Sequence, residues 1–489
     1  MNHIKSLASQ TAVYGISSIV GRLINYLLVP LHTSLFLPEQ FGKVPYFYAA
    51  AAFLLIIYTH GMETTFFRFS TKGNKDTSYY NYSFTSVLVV SLVLSTILII
   101  GSNGIATLAD YPGDGKLVRW LAIIIFLDAV TSIPFARLRL ENKARKFAIT
   151  KLANILINIL LQLLFLVVFP AILKNENHIL YALVQKFYNP QFGVGYIFLA
   201  NLLSNFSLIF MLWPYFTKAR LQVNIDTFKS MLAYSTPLLL TGIAGWVTDQ
   251  LDKPLIRHLL SESDLGVYAQ TFKLAVLIQL SVQAFRYAGE PFFFSKAKDK
   301  NAPQVFADVL YYFVIFAMII FVGISFNIEW IAQIMLQKPE YRTVIYLVPI
   351  IMLGKVFYGI YINVSIWYKL KDQTIFGMYF TILGAIITIA GNFILIPMLG
   401  LLGSAITVFL VYFVMTLACY MIGEKYFKVP YPVGPIFLYI FSGSVLVWLS
   451  FQVQFENKLL DMISNILATI IYFLVIWLIE KKKLSAKSY

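Results

Sequence analysis

The sequence predicts an all-α polytopic membrane protein, and three observations predict it. Of its 489 residues 59% are hydrophobic and only 12% are charged, against about 25% charge in an ordinary soluble domain. Mean hydropathy is +0.74. The apolar residues are gathered into long runs that reach the roughly 20 residues needed to cross a bilayer core.

Fourteen such runs can be placed, at about 11–36, 44–69, 82–108, 118–140, 150–173, 193–216, 231–258, 266–290, 304–331, 343–367, 373–397, 401–423, 435–453 and 459–480. The eighth is interrupted by Lys273 and Arg286. An even number of spans puts both ends on one side. Alternate loops and the tail, Lys481-Lys482-Lys483, carry about 24 basic residues, and the opposite loops carry about 8. Such asymmetry marks the basic side as cytoplasmic. The formal net charge of +15 is therefore a topology signal and requires no nucleic acid.

The first run is too long for a signal-peptide core and lacks a small-residue cleavage pattern, so a retained first span is expected. The lone Cys419 excludes an internal disulfide and reads as a small buried hydrophobe. No loop exceeds about 20 residues, whereas folded domains need roughly 50 or more, so function is expected among the helices. Ile179 to Val184, in the longest external loop, reads as a short interfacial segment.

Spans seven and eight echo spans one and two. Leu35 to Gly42 corresponds to His258 to Gly266 with a one-residue gap. Glu63 before Phe66-Phe67-Arg68-Phe69-Ser70 matches Glu290 before Phe292-Phe293-Phe294-Ser295, at an offset of 224 to 227. Six spans per repeat give two parallel lobes around a central cavity: an N-terminal lobe at 1–222, a C-terminal lobe at 223–428, and two additional helices with a basic tail at 429–489.

Charges inside the spans mark the candidate site, because a charge at mid-bilayer costs roughly 2.5–3.5 kcal/mol on insertion scales and must face protein or water. In span one, Ser18, Arg22, Asn25 and His32 fall on one helical face, beside a small stripe of Ser17 and Gly21. In span eight, Gln279, Gln283, Arg286 and Glu290 do the same, with an Arg286–Glu290 pair as the plainer reading. Span seven carries Asp249, Asp252, Lys253 and Arg257, where an Asp249–Lys253 pair is the plain alternative. Asp252 lines up with Thr241, Gly245 and Thr248 on a face suited to a cation or proton. Pro30 and Pro254 should bend their helices. Glu63, Asp128 and Lys355 are further charges at membrane depth. Asn154, Asn158 and Gln162 of span five, and Asn201 and Asn205 of span six, suit interhelical hydrogen bonds. Arg22, Asn25, Gln279, Gln283, Arg286 and Lys355 are thus candidate substrate contacts, and Glu63, Asp128, Asp249, Asp252 and Glu290 candidate ion-coupling acids.

Catalytic signatures are missing. There is no P-loop; Gly113-Asp114-Gly115-Lys116-Leu117 lacks the hydroxyl residue. The five histidines show no metal spacing, and no serine sits in a nucleophile elbow. No cofactor is expected.

The opening TAVYGISSIVGRLINYLLVPLHTSLFLPEQFG, followed by Gly61-Met62-Glu63-Thr64-Thr65-Phe66-Phe67-Arg68-Phe69, resembles polysaccharide flippases of the Wzx type. These belong to the multidrug/oligosaccharidyl-lipid/polysaccharide exporter superfamily. The resemblance implies a two-lobed transporter, not an enzyme, working by alternating access in a bacterial cytoplasmic membrane. Its implied substrate is a polyprenyl-diphosphate-linked oligosaccharide, flipped to the outer leaflet for O-antigen or other surface polysaccharide. It also implies H+ or Na+ coupling and partnership with a polymerase and other assembly proteins. A diphosphate needs cavity cations such as Arg22, Arg286 and Lys355. Lipid II flippases of the same superfamily carry arginines in their first helix; Asn25 stands where a second would be expected, which weighs against lipid II as substrate. A drug/cation antiporter usually has 12 helices, and a membrane glycosyltransferase or polymerase usually a large external catalytic loop. A non-transporting scaffold would leave the buried charges unexplained.

Overall fold

The computed structural model describes residues 19–72, 78–297, 299–453, 455 and 457–487, and among these every regular element is helical. Twelve helices are long and apolar enough to cross a membrane, and two shorter apolar helices fill the remaining places among the fourteen expected spans. In chain order they are α1 (Ile19–Leu35), α2 (Pro38–Thr71), α3 (Ser78–Ile100), α4 (Gly115–Leu140), α5 (Ala144–Leu173), α6 (Gly195–Met211), α7 (Ile225–Gln250), α8 (Glu262–Lys296), α9 (Ala302–Phe326), α10 (Leu347–Leu370), α11 (Ile375–Leu399), α12 (Leu401–Tyr426), α13 (Val433–Ser450) and α14 (Lys458–Lys483). The shorter pair are α1 and α6. Residues 11–18, at the start of the first expected span, lie outside the described residues, and Ser17 and Ser18 with them.

The chain forms two compact units, residues 1–254 and 255–489. This boundary lies one helix later than the lobe division at 222/223 read from the sequence, because α7 packs on α2. Trp246 Nε1 donates to the Ala49 carbonyl at 2.9 Å, the Arg68 guanidinium lies 4.0 Å from the Tyr234 ring centre, and Gly61 sits against Ser235.

Along the two sequence repeats the same devices recur. A one-residue turn at Leu27 breaks α1 and is followed by the helix Leu28–Leu35; a turn at Leu251 ends α7 and is followed by the helix Asp252–Leu259. Leu27 and Leu251, Pro30 and Pro254, and Leu35 and Leu259 are each 224 residues apart. Proline has no N–H for the carbonyl four residues earlier, here Tyr26 and Gln250, so each helix breaks just before its proline. The next helices start with half a capping box each. Gln40 Oε1 accepts the Leu37 N–H at 3.0 Å, and Ser261 Oγ accepts the Asp264 N–H at 3.0 Å.

The most enclosed helices are also repeat partners. In α4 and in α10 the apolar window is 72% buried, so each is the central helix of its unit. α4 packs against α2, α3 and α6, and α10 against α8, α9 and α12. Close approach of α10 to α12 depends on Gly354, whose absent Cβ would lie 3.1 Å from the Phe409 Cα and the Val408 carbonyl oxygen. Cys419 is buried with a free thiol. The segment expected at the interface forms the helix Tyr181–Phe187, and Ile179, Leu183 and Phe187 on it and beside it are exposed.

Candidate functional site

The break at Leu27 changes the reading of the first span. On a continuous helix Arg22, Asn25 and His32 would share a face, but the turn rotates the second segment. Gly21 and His32 both meet α5: a Cβ on Gly21 would lie 2.5 Å from Ile155 Cδ1, and His32 Nε2 is 2.7 Å from Gln162 Oε1. Gln162 in turn donates to Asn158 Oδ1 at 2.5 Å within α5, so of these two bonds the His32–Gln162 contact is the interhelical one expected of span five. Arg22 and Asn25 point away from this contact and are exposed. Among the described residues neither has an acid or amide partner, so the structure does not show the salt-bridge alternative for Arg22.

Two of the acid candidates, Glu63 and Asp128, belong to one network inside the first unit. Glu63 of α2 pairs with Arg139 at the end of α4, whose guanidinium lies 5.0 Å from the Phe67 ring centre. Asp128 of α4 accepts from Asn205 Nδ2 of α6 at 2.9 Å, and Asn154 Nδ2 of α5 donates to the Ser204 carbonyl at 2.8 Å. Lys151 of α5 lies within electrostatic reach of both acids and of Arg139, with its ammonium 4.3 Å from the Phe135 ring centre. Neither Arg139 nor Lys151 was singled out from sequence. Arg139 reads as a topology charge. Lys151 falls three residues before Asn154 and seven before Asn158, on the same polar stripe, a spacing that could have found it.

In the second unit Glu290 of α8 pairs with Lys369 at the end of α10 and lies 3.5 Å from Arg286 Nε. This repeats Glu63–Arg139 in the equivalent helices: an acid on the second helix of the repeat is held by a cation at the end of the central one. Gln279, Gln283 and Arg286 continue the α8 face. Arg286 keeps 47% of its side chain exposed, and Gln283 Oε1 is enclosed without a hydrogen-bond partner among the described residues, a group that water or a ligand can satisfy. Lys355 is only 4% exposed. It lies 5.4 Å from the Phe272 and 4.9 Å from the Tyr412 ring centres, held by aromatic packing of α8, α10 and α12. At the α7 break, Lys253 Nζ reaches Asp252 Oδ1 and the Asp249 carbonyl, both at 3.3 Å. Asp252 is buried. Arg257 Nε lies 3.8 Å from Glu262 Oε2.

Just beyond α4, Glu141 accepts from Arg137 Nε at 2.8 Å and Lys143 Nζ at 2.6 Å. Burial opposes its ionisation, but hydrogen bonds from Lys143 and then Arg137 outweigh it and hold the carboxyl below its ordinary range. A depressed acid stabilises the folded state above its unfolded value, about 4.3 for glutamate, and that contribution fades as pH falls through the folded value. Melting curves should therefore show the wild type losing its advantage over Glu141→Gln below about pH 4.3; a pH-independent difference would contradict this.

These features define a class: a multi-pass helical membrane protein with a duplicated arrangement of helices and polar faces at membrane depth. Comparison with known proteins narrows the class. The polysaccharide biosynthesis protein family matches residues 7–286, and the MatE family matches residues 237–394, starting within α7. The chain belongs to the polysaccharide biosynthesis protein family, within the multidrug/oligosaccharidyl-lipid/polysaccharide exporter superfamily, whose members are transporters rather than enzymes. The Lsg locus putative protein 1 of Haemophilus influenzae is 22% identical over 421 residues, covering 82% of this chain and 96% of that one. Among solved structures, the lipid II flippase MurJ in an inward closed conformation superposes with a TM-score of 0.72 at 16% identity, covering 97% of this chain and 99% of that one. An inward-facing multidrug resistance MATE transporter gives 0.66 at 14% identity, covering 83% and 94%. These superpositions establish a shared fold.

Proposed function

We propose that the protein flips a polyprenyl-diphosphate-linked oligosaccharide from the cytoplasmic to the outer leaflet of a bacterial inner membrane, feeding surface polysaccharide such as O-antigen. The observation that carries this reading is the family match over more than half of the chain, taken with an exposed arginine in α1 that has no acid partner among the described residues. In the first unit Arg22 and Asn25 are the substrate contacts, the guanidinium taking phosphate oxygens in a forked geometry. In the second unit Gln279, Gln283 and Arg286 are the candidate contacts, the amides suited to sugar hydroxyls and the guanidinium to phosphate. Lys355, enclosed by rings, supplies positive potential from behind rather than contact.

Movement by alternating access, coupled to H+ or Na+, is part of the proposal. Glu63 and Asp128, sharing Lys151, and Asp252 and Glu290, each beside a lysine, are carboxylates whose partners a cation could replace; Asp249 stands next to the α7 break. Both termini lie in the cytoplasm in this reading, with the lysine-rich loops. A polymerase and other assembly proteins are the downstream partners. Removing the protein from its cell tests the proposal. Lipid-linked oligosaccharide should accumulate while surface polysaccharide falls, and unchanged levels of both would refute it.

A further inference from the structure

A cavity of about 520 Å³ opens in the first unit, at the ends of its helices opposite the lysine-rich loops. Small-molecule sites span roughly 300–1,000 Å³, so it is large enough for a ligand. The starts of α2, α4 and α6 surround it. Its floor is apolar, with Leu117, Val194 and Phe192 among the lining residues, and its polar groups are Gln40, Lys43, Asp114 and Gln191. The floor is fixed in place. Phe192 lies edge-on to Trp120 and Tyr196, both at 5.2 Å between ring centres, the Lys116 ammonium sits 4.7 Å from its ring centre, and Gly195 has no Cβ to push the ring away.

The polar groups decide the ligand class. Lys43 Nζ and Asp114 Oδ2 are 2.7 Å apart, with a third and a quarter of their side chains exposed. A free anion would meet Asp114 and a free cation would meet Lys43, so the pair disfavours either charge. A neutral polyhydroxylated ligand can instead accept from the ammonium and from the Gln40 amide nitrogen, whose oxygen caps Leu37, donate to the carboxylate, and do both with the exposed amide of Gln191. A sugar ring also offers a C–H face to an apolar floor.

We propose that this cavity is a subsite for neutral sugar residues of the glycan, used on the external side after translocation. The inference rests on the flippase reading. Its test uses full-length protein in nanodiscs and, as probe, the oligosaccharide repeat unit released by mild acid from the producing cell's lipid-linked intermediate, without lipid or diphosphate. Saturation-transfer NMR should show repeat-unit protons contacting the wild type. A Gln40→Ala, Gln191→Ala double variant should bind about tenfold more weakly, as loss of one or two neutral hydrogen bonds implies. Exchanging the ion pair, Lys43→Asp with Asp114→Lys, separates structure from recognition: the fold should be retained and binding should stay impaired. Wild-type affinity in these variants, or no binding by the wild type, overturns the subsite. Should that wild type still move lipid-linked oligosaccharide across liposomes, the subsite alone fails; should it do neither, the flippase reading fails too.

Discussion

Arg22→Ala should reduce surface polysaccharide by about 10- to 100-fold in a cell that depends on this protein, since a hydrogen bond to a charged group is worth roughly 1.5–3 kcal/mol. Arg22→Lys should recover part of the loss. Lysine keeps the charge but gives up the fork that grips two phosphate oxygens. The prediction is specific because Arg22 is exposed and Gly21, on the buried side of α1, makes the contact with Ile155. Truncating Arg22 should therefore leave expression and thermal stability near wild type. A stable alanine variant that makes full surface polysaccharide would remove the phosphate role from Arg22.

The second large effect is expected at Glu290. It is the common acid for Lys369 and Arg286, so Glu290→Ala leaves two neighbouring cations without it. The side chains are half-buried, which places the cost between the roughly 0–1 kcal/mol of an exposed pair and the 3–5 of a buried one, about 1–3 kcal/mol. Exchanging the charges, Glu290→Lys with Lys369→Glu, should return only part of it, because the new lysine stands beside Arg286. Because Glu63–Arg139 occupies the equivalent place in the first unit, the corresponding exchange there should behave the same way. Thermal unfolding of the detergent-purified variants measures all of these. Equal stability of Glu290→Ala and wild type would show that the repeated pair carries no structural weight.

The fold was legible because hydropathy and proline act locally. Runs of about 20 apolar residues have few alternatives to membrane helices, and Pro30 and Pro254 break helices wherever they stand. The repeat was legible in Glu63 and Glu290, yet its strongest expression, the acid held by the end of the central helix, was not. Arg139 and Lys369 sit beside the loops, where a cation is equally well explained by topology, and only packing shows what it touches. The same limit applied to span one: spacing alone put His32 with Arg22, and a one-residue turn separated them. Lys355 shows the converse. Its type and depth suggested an open cavity, whereas its ring neighbours come from Phe272 and Tyr412, distant in sequence.

Transfer of the substrate itself is the most direct measurement. Purified protein would be reconstituted into liposomes bearing polyprenyl-diphosphate oligosaccharide in both leaflets, and a membrane-impermeant galactose- or diol-oxidising reagent would be added outside. Flipping by the protein predicts that the oxidised fraction rises from the outer-leaflet half toward the whole pool, and that Arg22→Ala vesicles stay near half. Protein-containing vesicles that stop at half, under an imposed H+ or Na+ gradient of either direction as well as without one, would contradict the account.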